Sequence, residues 1–307
     1  MKKAVIGFIV FVAFIFILAF AIGNSSDEEV YEDVDTVTAP LPLEDVIEPN
    51  HILSFDSSAL EIPNSPAGLP EQILLRYAYT TSYNKETKCP NWVAWNLTKE
   101  RLVGSYSRKG VPYYEDGSKA YGIGKIDEYI SKGDYLVDLE VSPRQEHSDW
   151  DDNSVPNNSH GHICPAADNK WSKTAMNQSF LLTNMCPQDR DLNGGDWEGL
   201  ESRCRGWARH YDSIYIVAGP IFERGVTRTM GKNKVAVPDA FFKVILCIKG
   251  TPKGLGFIFP NEGTHHPLED YMLPIDQVEE VTGFDFFHLL PDDIENKVES
   301  SSNLHEW

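Results

Sequence analysis

The chain has 307 residues, 41% hydrophobic and 24% charged, with a net charge of −19 and five Cys. This balance excludes collagen-like, coiled-coil and wholly disordered chains, and so few cysteines exclude a small disulfide-stapled scaffold. The acidity sits at the ends: residues 1–75 hold 12 acids against Lys2 and Lys3, and residues 262–307 hold 12 against Lys297. Residues 76–261 carry a net charge of about +2, so the middle of the chain can accommodate a polyanion although no general basic patch points to one.

Lys2 and Lys3 precede an apolar run from Ala4 to Ile22, and Asp27-Glu28-Glu29 follow it. As a helix this run spans roughly 28 Å, close to the hydrocarbon thickness of a bilayer. The charge asymmetry places the C-terminal body outside the cytoplasm. Ala19-Phe20-Ala21 also fits a small-x-small cleavage site, so residues 1–23 read as either a cleaved signal or an uncleaved anchor that touches the membrane through residues 4–22. An extracytoplasmic location, secreted, periplasmic or membrane-anchored, is the expectation. Residues 24–69 are rich in Asp, Glu, Ser and Pro without a sustained period, which predicts a flexible acidic linker. The folded domain is then expected over 70–307.

Glu71–Tyr79 and Tyr83 have β-rich or aromatic character, and Trp92-Val93-Ala94-Trp95-Asn96-Leu97 reads as a strand. Tyr135-Leu136-Val137-Asp138 predicts a short strand or turn leading into a polar loop at 141–159. The clearest helix runs from Asp196, a candidate N-cap, to Tyr211: Trp197, Leu200, Cys204, Trp207, Ala208 and Tyr211 share one face of a 3.6-residue period. Strands are predicted at Ser213–Val217, ending at Gly219-Pro220, then at Phe241–Ile248 and Gly256–Phe259. A last helix is predicted at Ile275–Thr282. Strands with interposed helices, lacking regular βαβ winding, predict an α+β domain.

Within Ser159-His160-Gly161-His162-Ile163-Cys164-Pro165, the alternation of His160, His162 and Cys164 would put three zinc-ligand types on one side of a strand. A zinc-stabilised module is one reading of that segment, and a strand with a polar exposed face is the plain alternative. On the predicted helix, Glu201 and Arg205 are four apart and share a face. Asn193 lies two turns earlier on broadly the same side. Trp92, Trp95, Trp171, Trp197 and Trp207 suit stacking on bases or a core, and the helical spacing of Trp197 and Trp207 favours core. His265-His266 follows Gly263-Thr264 in a predicted surface loop. Cys164, Cys186, Cys204 and Cys247 leave room for one or two disulfides in an oxidising compartment.

The ordered motifs carry a resemblance. Gly161-His162-Ile163-Cys164-Pro165, Asn184-Met185-Cys186-Pro187-Gln188, Leu192-Asn193, Trp197 and Leu200-Glu201 resemble the signature of the DNA/RNA non-specific endonuclease family: Asp-Arg-Gly-His-x-x-Pro, Asn-x-x-Pro-Gln, Leu-Asn, then Trp and Leu-Glu. Pro90–Thr98, Gly219–Phe222, Val237–Lys243, Phe259–Asn261 and Val278–Phe287 look like its flanking segments. The resemblance spans roughly 70–290 and implies the ββα-metal nuclease fold, a central antiparallel sheet with flanking helices. It implies an endonuclease that hydrolyses DNA and RNA with little sequence preference and leaves 5′-phosphates. It also implies roles: His162 as general base, Asn193 as the protein ligand of Mg²⁺ (Mn²⁺ the alternative), and Glu201 as the carboxylate holding metal-bound water. Arg205 and Arg108 match phosphate-clamping arginines. The usual Asp-Arg is here Ser159-His160; His160 would either take the arginine's place at the phosphate when protonated or merely pack. That departure also supports the second functional reading, a surface nucleic-acid-binding protein that keeps the fold without the catalysis.

Overall fold

The computed structural model describes residues 58–107 and 135–307. Among these, a seven-stranded sheet runs in the order β1 (Gln72–Leu75), β2 (Thr80–Asn84), β3 (Cys89–Thr98), β6 (Ser213–Ile221), β9 (Ala240–Cys247), β10 (Lys253–Pro260) and β11 (Met272–Leu273). Every pairing in it is antiparallel. A separate two-stranded ribbon joins β4 (Asn158–His162) to β5 (Met185–Asp189), with helix α1 (Lys173–Ser179) between them in the chain. The long helix α2 (Glu198–Tyr211) precedes β6, and a small ribbon pairs β7 (Thr229–Met230) with β8 (Val235–Ala236). Helices α3 (Ile275–Thr282) and α4 (Asp292–Glu299) follow the sheet.

The central strands read as nearly continuous hydrophobic runs because both faces of the sheet are covered. Alternation along each strand divides their side chains between two cores. Val93, Trp95, Ile214, Ile216, Phe241, Ile245, Phe257 and Phe259 meet Trp197, Leu200, Cys204 and Ala208 of the α2 segment on one face. Trp92, Ala94, Val217, Phe242, Val244 and Leu246 meet Ile275, Val278, Phe286, Phe287 and Val298 on the other. The α+β expectation holds, and so does the helix at Ile275–Thr282.

Four local expectations change. Residues 58–69, placed by composition in the linker, belong to the folded unit: Leu60 is fully buried and the Asn64 and Asp285 backbones exchange hydrogen bonds. One well-placed leucine and a backbone bridge anchor this segment despite its polar composition. Strand β6 does not stop at Gly219-Pro220. Its pairing with β9 continues to Ile221, whereas β3 pairs only as far as Ala218, so Pro220 lies where one neighbouring ladder has ended. Helix α2 is not capped by Asp196. A helical turn at Arg190–Leu192 starts earlier, capped by the Asp189 carboxylate accepting from the Asp191 and Leu192 amides, and a π-helical turn, Asn193–Trp197, joins it to α2. Helix α4, not expected from the sequence, buries only Val298 and Glu299, too few apolar positions to show a period. Residues 1–57, with the apolar run, lie outside the described residues. Among the described residues no helix is long and apolar enough to cross a membrane.

Candidate active site

Strand β4 supplies the first wall of the site. His160 and His162, two apart, project from one side of it into a cleft of about 610 Å³ that is also lined by Asn193, Glu201 and Arg205. Gly161 between them is required by packing: a Cβ there would lie 2.3 Å from the Gln188 side chain of β5. His162 is 8% exposed, edge-on to Phe180 with centroids 5.2 Å apart and tilted against Tyr135. His160 is sandwiched between Tyr135 and Trp150, both 3.8 Å away and nearly parallel to it. Both faces of the His160 ring are thus covered by aromatics.

The ribbon is held from both ends by two asparagines of the sequence motifs. Asn184 accepts from the Cys164 amide and donates to the Cys164 and Ser179 carbonyls, all at 2.9 Å. This fixes the turn that follows His162. Asn261, just beyond β10, accepts from the Asp189 amide at 2.7 Å and donates to the Pro187 and Pro238 carbonyls, which ties β5 to the end of the main sheet.

The second wall is the helical segment. Asn193 opens the π-helical turn, an irregularity concentrated at functional sites because it re-aims a side chain. Within that turn Gly195 has non-helical angles, and a Cβ there would lie 2.7 Å from the His265 ring. Asp196 accepts a 2.8 Å hydrogen bond from the Tyr271 hydroxyl, its role in place of capping. The orientation of the Asn193 amide follows from its partners. Ser159 Oγ donates to the Gln188 carbonyl at 3.0 Å, so its only proton is committed. Ser159 must therefore accept from Asn193, through Nδ2 at 3.1 Å, which leaves Oδ1 as the outward oxygen. Ser159, where the family has Asp, thus still bonds the candidate ligand.

Glu201 and Arg205 belong to a group of buried charges whose other two members, Asp168 and Lys243, the sequence reading gave no role. Asp168, 3% exposed, accepts from Arg205 at 3.1 Å and from the Trp95 indole at 3.2 Å. Arg205 also donates to Ser202 at 2.8 Å and stands 3.9 Å from Glu201, so the Glu201–Arg205 pair is secondary to the Asp168–Arg205 one. Lys243, 1% exposed, occupies a core position of β9 with its ammonium 3.9 Å from the Trp197 ring centroid. Burial raises the Glu201 carboxyl from its ordinary 4.5 to about 7, although Lys243 and Arg205 pull it back. Asp168 is raised likewise by burial and lowered by Arg205 and Lys243. Sequence signals existed for both: Asp168 lies in the Ser159–Asp168 run, and Lys243 is a lone charge in an otherwise apolar strand. Tyr135, Trp150, Arg190 and Glu198 also line the cleft; they are distant in sequence or exposed on their elements, and no spacing marks them.

Other predicted candidates part company. Cys164 lies beyond β4, 1% exposed, with its sulfur accepting from Asn169. Burial pushes its thiol far above the usual range, away from the thiolate a zinc ion needs. His160, His162 and Cys164 therefore form no metal-binding group among the described residues, and the zinc reading is set aside. All five cysteines are buried and free, so the one or two disulfides that the sequence left room for are not formed. Trp92, Trp95 and Trp197 are core residues, and Trp207 packs against Trp307. Trp171 stacks on Tyr77 and carries Arg101 over its ring. His265 and His266 are exposed, as expected of a surface loop. Arg108 lies outside the described residues.

A family model for DNA/RNA non-specific endonucleases matches residues 56–293. The mitochondrial nuclease EXOG of Danio rerio is 31% identical over 241 residues, 73% of this chain and 64% of that protein. The mitochondrial endonuclease G of Homo sapiens is 31% identical over 238 residues, 71% of each chain. This chain thus spans less than two thirds of the length of the EXOG relatives it matches, 55% for that of Mus musculus. A crystal structure of an EndoG/EndoGI complex aligns with a TM-score of 0.60 at 22% identity, covering 72% of this chain and 87% of that one. It supports the fold, of the ββα-metal type. With the motif order, the sheet and the family match in agreement, the chain belongs to the DNA/RNA non-specific endonuclease family.

Proposed function

We propose that the protein is a metal-dependent endonuclease that hydrolyses phosphodiester bonds of DNA and RNA with little sequence preference and leaves 5′-phosphates. The observation that carries this reading is the meeting, in one cleft, of His162, Arg205, Glu201 and an Asn193 whose amide oxygen is turned outward by Ser159. An amide oxygen beside a carboxylate is a hard-oxygen donor set, which fits Mg²⁺ or Mn²⁺ and not a thiophilic ion. Asn193 would hold the ion directly and Glu201 through water. When bound, the ion supplies positive charge at the scissile phosphate and polarises the water around it.

The protein's own groups supply the rest. A neutral imidazole carries one ring nitrogen with a free lone pair, the atom type that in His162 would accept a proton from an attacking water. Its packing against Phe180 and Tyr135 fixes the ring, so that the proton acceptor does not have to be oriented at the moment of reaction. Arg205, braced by Asp168 and Ser202, presents a fixed guanidinium edge to a phosphate oxygen. Arg108 is proposed as a second phosphate contact. The sandwiched His160 offers its ring edge to the same anion. Contacts of this kind address phosphates, which every sequence presents.

Location is part of the proposal. The flanked apolar run Ala4–Ile22 supports placing the domain outside the cytoplasm, whereas the named relatives are mitochondrial proteins. A second reading, binding without cleavage, is favoured only by Ser159-His160. The full-length protein incubated with supercoiled plasmid and with total RNA, in Mg²⁺ or in EDTA, separates the two. Nicking and RNA loss that need Mg²⁺ and disappear in His162→Ala support the nuclease. Retention of both substrates by a protein that does not cleave them between pH 5 and 9 establishes the binder.

A further inference from the structure

On the face of the sheet opposite the cleft, α3 and α4 bring three carboxylates together. Asp276 and Glu279 lie three residues apart on α3 and so share a side of it, and Glu299 is the last residue of α4. One carboxylate oxygen from each lies within 4.8 Å of the other two. Asp276 is exposed and Glu279 half-buried, but Glu299 is only 5% exposed, and its Oε1 is shut from solvent with no hydrogen-bond partner among the described residues. Glu279 has one protein donor, the Phe286 amide at 2.6 Å. Among the described residues no Lys, Arg or His forms an ion pair with any of the three.

We propose that Asp276, Glu279 and Glu299 form a second cation site, for Ca²⁺, that pins the end of α4 to α3. A buried carboxylate oxygen without a donor is costly unless a proton or a counter-ion satisfies it, and a cluster of three acids gathers enough negative charge to take the counter-ion. Two oxygens on opposite sides of one Ca²⁺ are separated by roughly 5 Å, so three oxygens within 4.8 Å can share a single ion. Three carboxylates on two separate helices suit the adaptable Ca²⁺ shell better than the rigid octahedron of Mg²⁺, which keeps most of its waters. Exposed Asp276 leaves one side open for ion entry and for the remaining water ligands. Asp276 and Glu279 lie within the residues matched by the family model, 56–293, whereas Glu299 lies beyond them, so the third carboxylate comes from this chain's C-terminal segment. It uses none of the cleft residues.

The test is a calcium titration of the full-length, chelator-treated protein by calorimetry, with the unfolding midpoint measured with and without CaCl₂. Asn193→Ala is run in parallel, so that any ion in the cleft is not counted. The expected result is one Ca²⁺ per chain in the Asn193→Ala background and a midpoint raised there by about 5 °C at saturation. Glu299→Gln keeps the far-ultraviolet spectrum and weakens Ca²⁺ at least ~10-fold. Asp276→Asn, an exposed change that does not threaten the fold, weakens it too. Absence of binding at millimolar Ca²⁺, or an equal response in the wild type and in both carboxylate variants, overturns the proposal.

Discussion

The two faces of the central sheet bury charge by different means. On the cleft face, Glu201 and Asp168 are sunk beside Lys243 and Arg205, so each buried anion has a cation near it. On the opposite face, Phe284, Phe286 and Phe287 fill the core while Glu279 and Glu299 gather with other acids only; burial and these neighbours raise them to about 7 and about 9. Partnered charges hold a defined geometry and leave one edge available to a substrate. Unpartnered ones make their helix pair depend on a proton or an ion from solution. Chemistry is therefore expected from the first face and conditional stability from the second.

The sharpest way to break this division is a pair of substitutions, one per face. His162→Ala is expected to lower cleavage about 10²–10⁴-fold with the unfolding midpoint nearly unchanged. Phe286→Ala, fully buried opposite the cleft, is expected to cost about 3–5 kcal/mol in denaturant unfolding while the folded fraction keeps its rate. A reversed outcome, with His162→Ala unfolding the domain or Phe286→Ala altering the rate of folded enzyme, removes the distinction.

Next in size is the counter-charge. Lys243→Met strips one of the two cations beside Glu201 and Asp168 and leaves them to share Arg205, at about 3 kcal/mol in equilibrium unfolding at pH 8. A loss below about 1 kcal/mol would mean that the charge of Lys243, held over the Trp197 ring, contributes little to the fold.

Glu201 itself should show the opposite sign in metal-free protein. Its folded pKa, about 7, lies above its ordinary 4.5. The folded state is therefore favoured while the group is protonated, and that contribution disappears as pH rises from 4.5 through 7. Glu201→Gln, which stays neutral, should be more stable than wild type by about 3 kcal/mol at pH 8, and the two should converge near pH 4. Urea melts in EDTA at the two pH values decide it. The smallest expected effect is that of Ser159→Ala, which frees the Asn193 amide to turn. The Mg²⁺ concentration for half-maximal cleavage should rise about 10-fold with little change in the maximal rate.

Much of the site was legible from local order alone. Gly161-His162, Asn184, Asn193 and Glu201 lie in short runs whose spacing the backbone constrains, and the helix face from Trp197 to Tyr211 repeats every 3.6 residues. The antiparallel strands were legible as apolar runs bounded by Gly, Pro and Asn. What escaped was whatever depended on a partner distant in the chain. Asp196 has the composition of an N-cap, but Tyr271, 75 residues on, takes its carboxylate. Leu60 looks like linker until the far face of the sheet covers it.

Composition and motif order thus determined the fold class, the family and the residue types of the cleft, because hydrophobic period and close backbone approach act between near neighbours. Which carboxylates are buried, which of them meet a cation, and that Ser159 turns the Asn193 oxygen outward were decided only when the β4–β5 ribbon brought residues 159, 188 and 193 together, and the packing of α3 against α4 did the same for 276, 279 and 299. Electrostatic energies depend on distance and burial, and neither quantity exists along a chain until it has folded.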